Sequence, residues 1–158
     1  MASIDAHPIE SIPDDDRVSR AYFQAPGDLA PESFLFPYDK VRDERAESVY
    51  WRKYAPQIDD VHNRGCRLEA KWKAAAASPV RMYVGARTAI VGKIRSIVSG
   101  RGHRFKVIHY PQNGDIAHTH IAVDRVGGKP QKLSKNDKLE LANLIVGCFI
   151  DYEAHHCL

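Results

Sequence analysis

Three of the eight histidines, His109, His118 and His120, stand in the run Arg104–Asp124, RFKVIHYPQNGDIAHTHIAVD. Imidazole is the side chain whose charge changes nearest neutral pH. Three neutral imidazoles brought together can hold one divalent ion while leaving a coordination position open. Such an ion would activate water or polarise a phosphoryl oxygen. Without a metal, the same trio can act as acid and base around a phosphate. The plainer reading is a half-exposed strand face on which histidine is an acceptable polar residue. The choice turns on whether the chain places all three on one surface.

Asn113-Gly114 lies at the middle of the run and is a strong hairpin signal, because both central positions of the turn favour positive φ. A two-residue loop there sets His109 opposite His118 and Val107 opposite His120. Side chains alternate faces along a strand, so one face is expected to carry Phe105, Val107, His109, Ile116, His118, His120 and Ala122. Ile108, Tyr110, Ala117, Thr119, Ile121 and Val123 would form the core side. The three histidines are therefore the candidate catalytic residues, and together the candidate ligands of one divalent metal.

The approach to this hairpin is basic. Residues 80–106 hold seven Lys or Arg and no acidic residue, and Arg101, Arg104 and Lys106 are the candidate phosphate-binding residues. Ser99-Gly100-Arg101-Gly102 can present backbone donors to an anion, although it matches no phosphate-loop motif. Tyr50-Trp51-Arg52-Lys53-Tyr54 interleaves aromatics with cations, as stacking on bases beside phosphates requires; on a helix it reads equally as a core stripe. Glu44 and Glu47, one turn apart on such a helix, are a further source of ligands or a base. His62 and Cys66 are likewise one turn apart, which more often means packing than chemistry.

The segment Ala117-His118-Thr119-His120-Ile121 resembles the His-hydrophobe-His strand of HUH endonucleases and plasmid relaxases. The resemblance implies a metal held by His118 and His120, and single-stranded DNA cut by a tyrosine, for which Tyr50, Tyr54 or Tyr152 would have to serve. Thr119 departs from the bulky apolar middle residue and no tyrosine stands in an identifying motif, so the likeness does not assign a family.

The elements that must position these groups follow from periodicity. Five of the nine prolines fall within the first 37 residues, which disfavours helix there. Residues 1–38 read as an acidic, proline-rich extended arm, with 1–16 a disordered tail and 18–38 packing on the body or docking on a protein partner. Residues 39–158 read as a single α+β domain. A helix is expected from Asp39 to Ala55, capped by Asp39 and stopped by Pro56. A second is expected from about Gln57 to Ala77, weakened by Gly65. A strand follows at 80–85, then 88–98 as a helix with strand as the alternative. After the hairpin, Ser134 and Asp137 form a capping box, opening a helix apolar on nearly all sides and therefore buried. The expected architecture is two N-terminal helices followed by strand-helix-hairpin-helix. Its sheet is small and mixed, with the first strand parallel to a hairpin strand and the helices on one face.

A chain of 158 residues with 44% hydrophobic and 27% charged residues can bury a core of its own. The net charge of +3 selects no partner by itself. Its longest apolar run, Leu144–Ile150, is too short to span a bilayer, so no membrane partner is expected. The N-terminus lacks the apolar core of a secretory signal. Cys66, Cys148 and Cys157 show no metal spacing or disulfide framework, which points to a reducing compartment and a cytoplasmic protein. The function expected is binding or cleavage of a phosphodiester or nucleic acid, metal-assisted if an ion is present. If the protein is an enzyme, it is a metal- or His-dependent phosphodiesterase or nuclease. The alternative is a non-catalytic interaction module, an inhibitor, immunity protein or accessory subunit, docking through its N-terminal arm.

Overall fold

The structure is a computed structural model describing residues 7–27, 34–76, 80–112, 114–127, 129 and 132–158. The elements are β1 (Arg17–Gln24), β2 (Tyr38–Asp39), β3 (Glu44–Trp51), α1 (Ile58–Ala74), β4 (Met82–Ile90), α2 (Val91–Arg95), β5 (Arg104–His109), β6 (His118–Asp124), α3 (Lys135–Val146) and β7 (Asp151–Ala154). The strands form a seven-stranded sheet ordered β5-β6-β3-β1-β4-β7, with β2 on β3. Every pairing is antiparallel.

This overturns the expected fold class. Helices are the minority, and the sheet is neither small nor mixed. β4 pairs with β1 and β7 and does not touch the hairpin ladder. Helices also lie on both faces of the sheet. One cluster joins α2 and α3, through Val91, Ile94, Leu141 and Ile145, to Val18, Val49, Trp51 and Ile121. The other joins Ile58 and Val61 of α1 to Tyr50, Ala86 and Ala117 on the opposite face.

The largest correction concerns Asp39 to Ala55, expected as a helix. Asp39 does accept from backbone N–H groups ahead of it, Val41 at 2.9 Å and Arg42 at 3.2 Å. That bonding closes an Asx turn rather than capping a helix, and the same side-chain chemistry serves either purpose. Asp43 then takes φ +49 and the chain reverses into β3. Val41, which would lie on the apolar stripe of such a helix with Arg45 and Val49, is 89% exposed. The β-branched and aromatic Val49-Tyr50-Trp51 suits a pleated surface, and Val49 and Trp51 are buried on one side of it.

Arg17–Gln24 is extended, as expected of the arm, but it is a central strand between β3 and β4. Residues 7–16 are not a loose tail: Ile12 is buried, Trp51 donates to Asp16, and Lys53 and Arg95 pair with Glu10 and Asp14. Residues 1–6 lie outside the described residues. The 88–98 segment is strand through Ile90, then only a five-residue helix; Thr88 bonds Ser19 across the ladder at 2.7 Å.

α1 and α3 fall close to their expected positions. Ser134 accepts from Asp137 N at 3.1 Å, as the capping pattern required. α3 is one-sided, however, with Leu139 at 62% exposure, so it is not the wholly buried helix expected. Cys66 and Cys157 are disulfide-bonded, while Cys148 is free. That bond overturns the reading of the cysteines and removes the ground for a reducing compartment. It also ties down the C-terminal tail, where His155 stacks on His62 at 4.2 Å and donates from its backbone to Val84. Among the described residues, no helix is long and apolar enough to cross a membrane.

Candidate functional site

The hairpin forms with its turn where expected. Gln112 and Asp115 exchange backbone hydrogen bonds of 3.2 and 2.8 Å, and Gly114 takes φ +74; Asn113 lies outside the described residues. The register then slips. Tyr110 N donates to His118 O, and His109 pairs with Thr119 and Ile108 with His120. From the closing pair, β5 advances by two residues while the other strand advances by three, which is a bulge. Asp115 organises the extra residue, since its Oδ1 accepts from Ala117 N at 3.0 Å. Arg64 of α1 holds that carboxylate with two bonds of 2.8 and 2.9 Å.

One residue of slip moves a side chain to the other face. His118 and His120 therefore share a face, their ring centroids 5.0 Å apart, and His109 lies on the opposite one. There His109 is fully buried against Trp51. A carbonyl can only accept, so its Nε2–H donates to Ile116 O at 2.7 Å, leaving Nδ1 to accept from Glu10 N at 3.1 Å. Both nitrogens are used and the ring is a structural one.

His118 has the opposite character. Its Nδ1–H donates to Tyr110 O at 2.8 Å, which fixes the tautomer and leaves the Nε2 lone pair outward. That nitrogen accepts from Ser48 Oγ at 3.0 Å and from the Gln112 amide at 3.2 Å. Arg42 donates to Gln112 Oε1 at 2.8 Å and so turns the amide N–H toward the ring. Burial lowers the His118 pKa from 6.5 to about 4, with His120 and Arg42 adding to the fall and the Tyr110 bond and Asp115 opposing it. The ring is neutral at physiological pH. His120 donates from Nδ1 to Glu44 at 3.0 Å, both side chains being buried.

Ser48 and His118 open onto a cleft of about 710 Å³ between the sheet and α1, lined also by Tyr50, Arg64, Arg67 and Lys71. The three basic residues follow helical spacing, so they share one side of α1. Arg67 and Lys71 are exposed and make no ion pair with another described residue. Burial and the nearby Asp115 push the Tyr50 hydroxyl up to about 12, so it remains a donor. A second hollow of about 250 Å³ continues from Ser48, Tyr50 and Leu68 to Tyr22, Phe23 and Trp72. The Arg81 guanidinium stacks 4.5 Å from the Trp72 ring there.

The expected phosphate ligands lie elsewhere. Arg101 pairs with Asp137 in the first turn of α3 at 3.6 Å. Arg104 and Lys106 are exposed on the His118 and His120 face, opposite Asp124 and Ala122 and away from the cleft. Among the described residues two groups bring three possible metal-ligand atoms within 4.8 Å of one another: His7, Glu10 and His109, and Asp39, Glu44 and His120. Neither contains His118, so the three-histidine ion is not what the geometry offers. Of the tyrosines implied by the HUH resemblance, Tyr54 donates to Glu10 and Tyr152 to Val84 O, while Tyr50 pairs with His118 across the ladder and lines the same cleft.

Ser48, Gln112 and the α1 cations were missed in the sequence. The spacing of Arg64, Arg67 and Lys71 was visible on a correctly expected helix. Ser48 was not visible, because its partner follows only from the strand pairing of β3 with β6. Compared with family models, curated proteins and solved structures, the chain matches none.

Proposed function

We propose that the cleft beside α1 binds a phosphodiester chain, a short single-stranded nucleic-acid segment. The observation that carries this reading is the row Arg64, Arg67 and Lys71 on the wall of the cleft into which His118 and Ser48 open. Cations in a groove track a phosphate backbone, and aromatic faces beside them take bases irrespective of sequence. The adjoining hollow supplies Phe23 and Trp72 for that stacking. The docking reading loses its support, because Val18 and Tyr22 of the supposed arm are buried strand residues. A metal-assisted version would use Asp39, Glu44 and His120, where two carboxylates and an imidazole suit a divalent cation.

The test is fluorescence anisotropy with a labelled single-stranded oligodeoxythymidylate at several salt concentrations. Binding should weaken linearly in log–log form as salt rises. Replacing both Arg67 and Lys71 by Ala should weaken it roughly tenfold and reduce the salt slope by about 1.4, two phosphate contacts' worth for a single strand. An oligonucleotide that fails to bind at low salt, or binds the double variant equally well, would sink the proposal.

A further inference from the structure

We infer that Ser48 and His118 form a nucleophile–base pair that cleaves the phosphodiester held in this cleft. The inference rests on the cleft being a phosphate site. A serine hydroxyl is a weak nucleophile unless a neighbouring base takes its proton, and the diagnostic arrangement is hydroxyl, base and a third group that orients the base. All three are present. Ser48 Oγ lies 3.0 Å from His118 Nε2. Tyr110 O, 2.8 Å from Nδ1, holds the ring in the tautomer whose lone pair faces the hydroxyl. Ser48 is exposed in the middle of β3, so its hydroxyl caps no element and opens onto the ligand space.

The neighbours fit the reaction. Arg67 and Lys71 line the same cleft and can neutralise the non-bridging oxygens, the main electrostatic requirement of phosphoryl transfer, while Arg64 beside them is held by Asp115. In the first half, Ser48 Oγ forms a bond to phosphorus as its proton passes to His118 Nε2. The bond from phosphorus to the leaving oxygen breaks, and that oxygen takes the proton from Nε2. When Nε2 holds the proton it no longer accepts from Gln112, whose N–H becomes available to a phosphoryl oxygen. In the second half, water attacks the phosphoseryl group and gives a proton to Nε2, and Ser48 Oγ leaves and recovers it. Water is the only co-reactant. His118 suits the base by position, since the Tyr110 bond holds its Nε2 lone pair 3.0 Å from the Ser48 hydroxyl at the cleft wall.

The test treats the full chain with diisopropyl fluorophosphate, which is uncharged and so does not need the cations. One diisopropylphosphoryl group should be found on Ser48 by peptide fragmentation. It should be absent in Ser48→Ala and formed at least ~100-fold more slowly in His118→Gln, with near-UV circular dichroism verifying that this variant folds. Bis(p-nitrophenyl) phosphate should be hydrolysed by the wild type and not by Ser48→Ala. A wild type that binds the oligonucleotide but neither labels at Ser48 nor turns over the diester overturns the cleavage inference and leaves the binding reading standing. Labelling at Ser48 without oligonucleotide binding overturns the substrate assigned here. A His118→Gln variant labelled as fast as the wild type overturns the role of the base.

Discussion

His109, His118 and His120 are chemically identical side chains made unequal by what their nitrogens meet. His109 spends both nitrogens on backbone groups, and His120 gives one to Glu44. Only His118 points a fixed lone pair at an exposed hydroxyl. Its pKa makes this testable. Burial disfavours the imidazolium and holds the folded-state value near 4, against an ordinary 6.5. As pH falls below 6.5 the unfolded chain binds the proton first, so stability is lost between pH 6.5 and 4 and is fully present above 6.5. The full difference is roughly 3 kcal/mol. His120, Asp115, Arg42 and the Tyr110 carbonyl all face this ring. Imidazole-nitrogen NMR should find His118 in the Nδ1–H tautomer and neutral down to about pH 4. Urea denaturation of His118→Gln should lose less stability across that window than the wild type. A His118 that titrates near 6.5 would contradict the geometry. None of this inequality was legible in the sequence, because it depends on one extra bulge residue at the turn. The turn itself was legible from Gly114, and the sequence offered the histidines as candidates. Their common face was not available from spacing alone.

At the scale of elements, the sequence is most informative where one local signal has one outcome. Ser134 with Asp137 opens a helix, and α3 begins there. It misleads where a signal serves two structures, as Asp39 does by making an Asx turn with the bonding expected of a cap. The apolar residues of 44–51 also fit helical spacing by chance, and only pairing with β1 and β6 decides for strand. Gly65 is a third case. On α1 alone it reads as a flaw, about 1 kcal/mol less favourable than alanine. In the fold, a Cβ at this position would sit 2.4 Å from the Tyr83 ring of β4, and Tyr83 is itself buried and bonded through its hydroxyl to His62. The helix therefore lies as close to the sheet as a bare backbone permits. Gly65→Ala should destabilise the protein by about 1–3 kcal/mol, the usual range for overpacking, despite the better helix propensity. Chemical denaturation measures it, and a variant at least as stable as the wild type would show that α1 sits farther out. The same displacement would carry Arg64 away from Asp115, so the variant should also bind the oligonucleotide less well.

For the molecule as a whole, the question is what holds α1 in place as one wall of the cleft. Its contacts with the sheet run through a small cluster, Val61 with Ala55, Ala86 and Ala117, and through Tyr83 against Gly65 and His62, while the larger core lies on the other face. Two further ties compensate. Arg64 clamps Asp115 at the hairpin bulge. Cys66, between Arg64 and Arg67 in the chain, is bonded to Cys157, 91 residues away and just beyond the edge strand β7. No spacing rule could have paired these cysteines, because their proximity depends on β7 adding to β4 and returning the tail beneath the helix. A link across so long a loop restricts the unfolded chain strongly, and removing a native one typically costs about 2–5 kcal/mol. Replacing both Cys66 and Cys157 by Ser should therefore lower stability by an amount in that range. Dithiothreitol should lower the melting temperature of the wild type to that of the double variant and leave the variant unchanged. Cys148, free and part-buried, is the internal control, since Cys148→Ser should preserve the sensitivity to reductant. A wild-type melting temperature indifferent to dithiothreitol would remove the tether from the account. α1 would then be held by its packing on the sheet and the Arg64 clamp, and oligonucleotide affinity should be equally indifferent to reduction. With the tether in place, reduction should weaken the oligonucleotide complex as well, because the helix it anchors carries the cations that hold the phosphates.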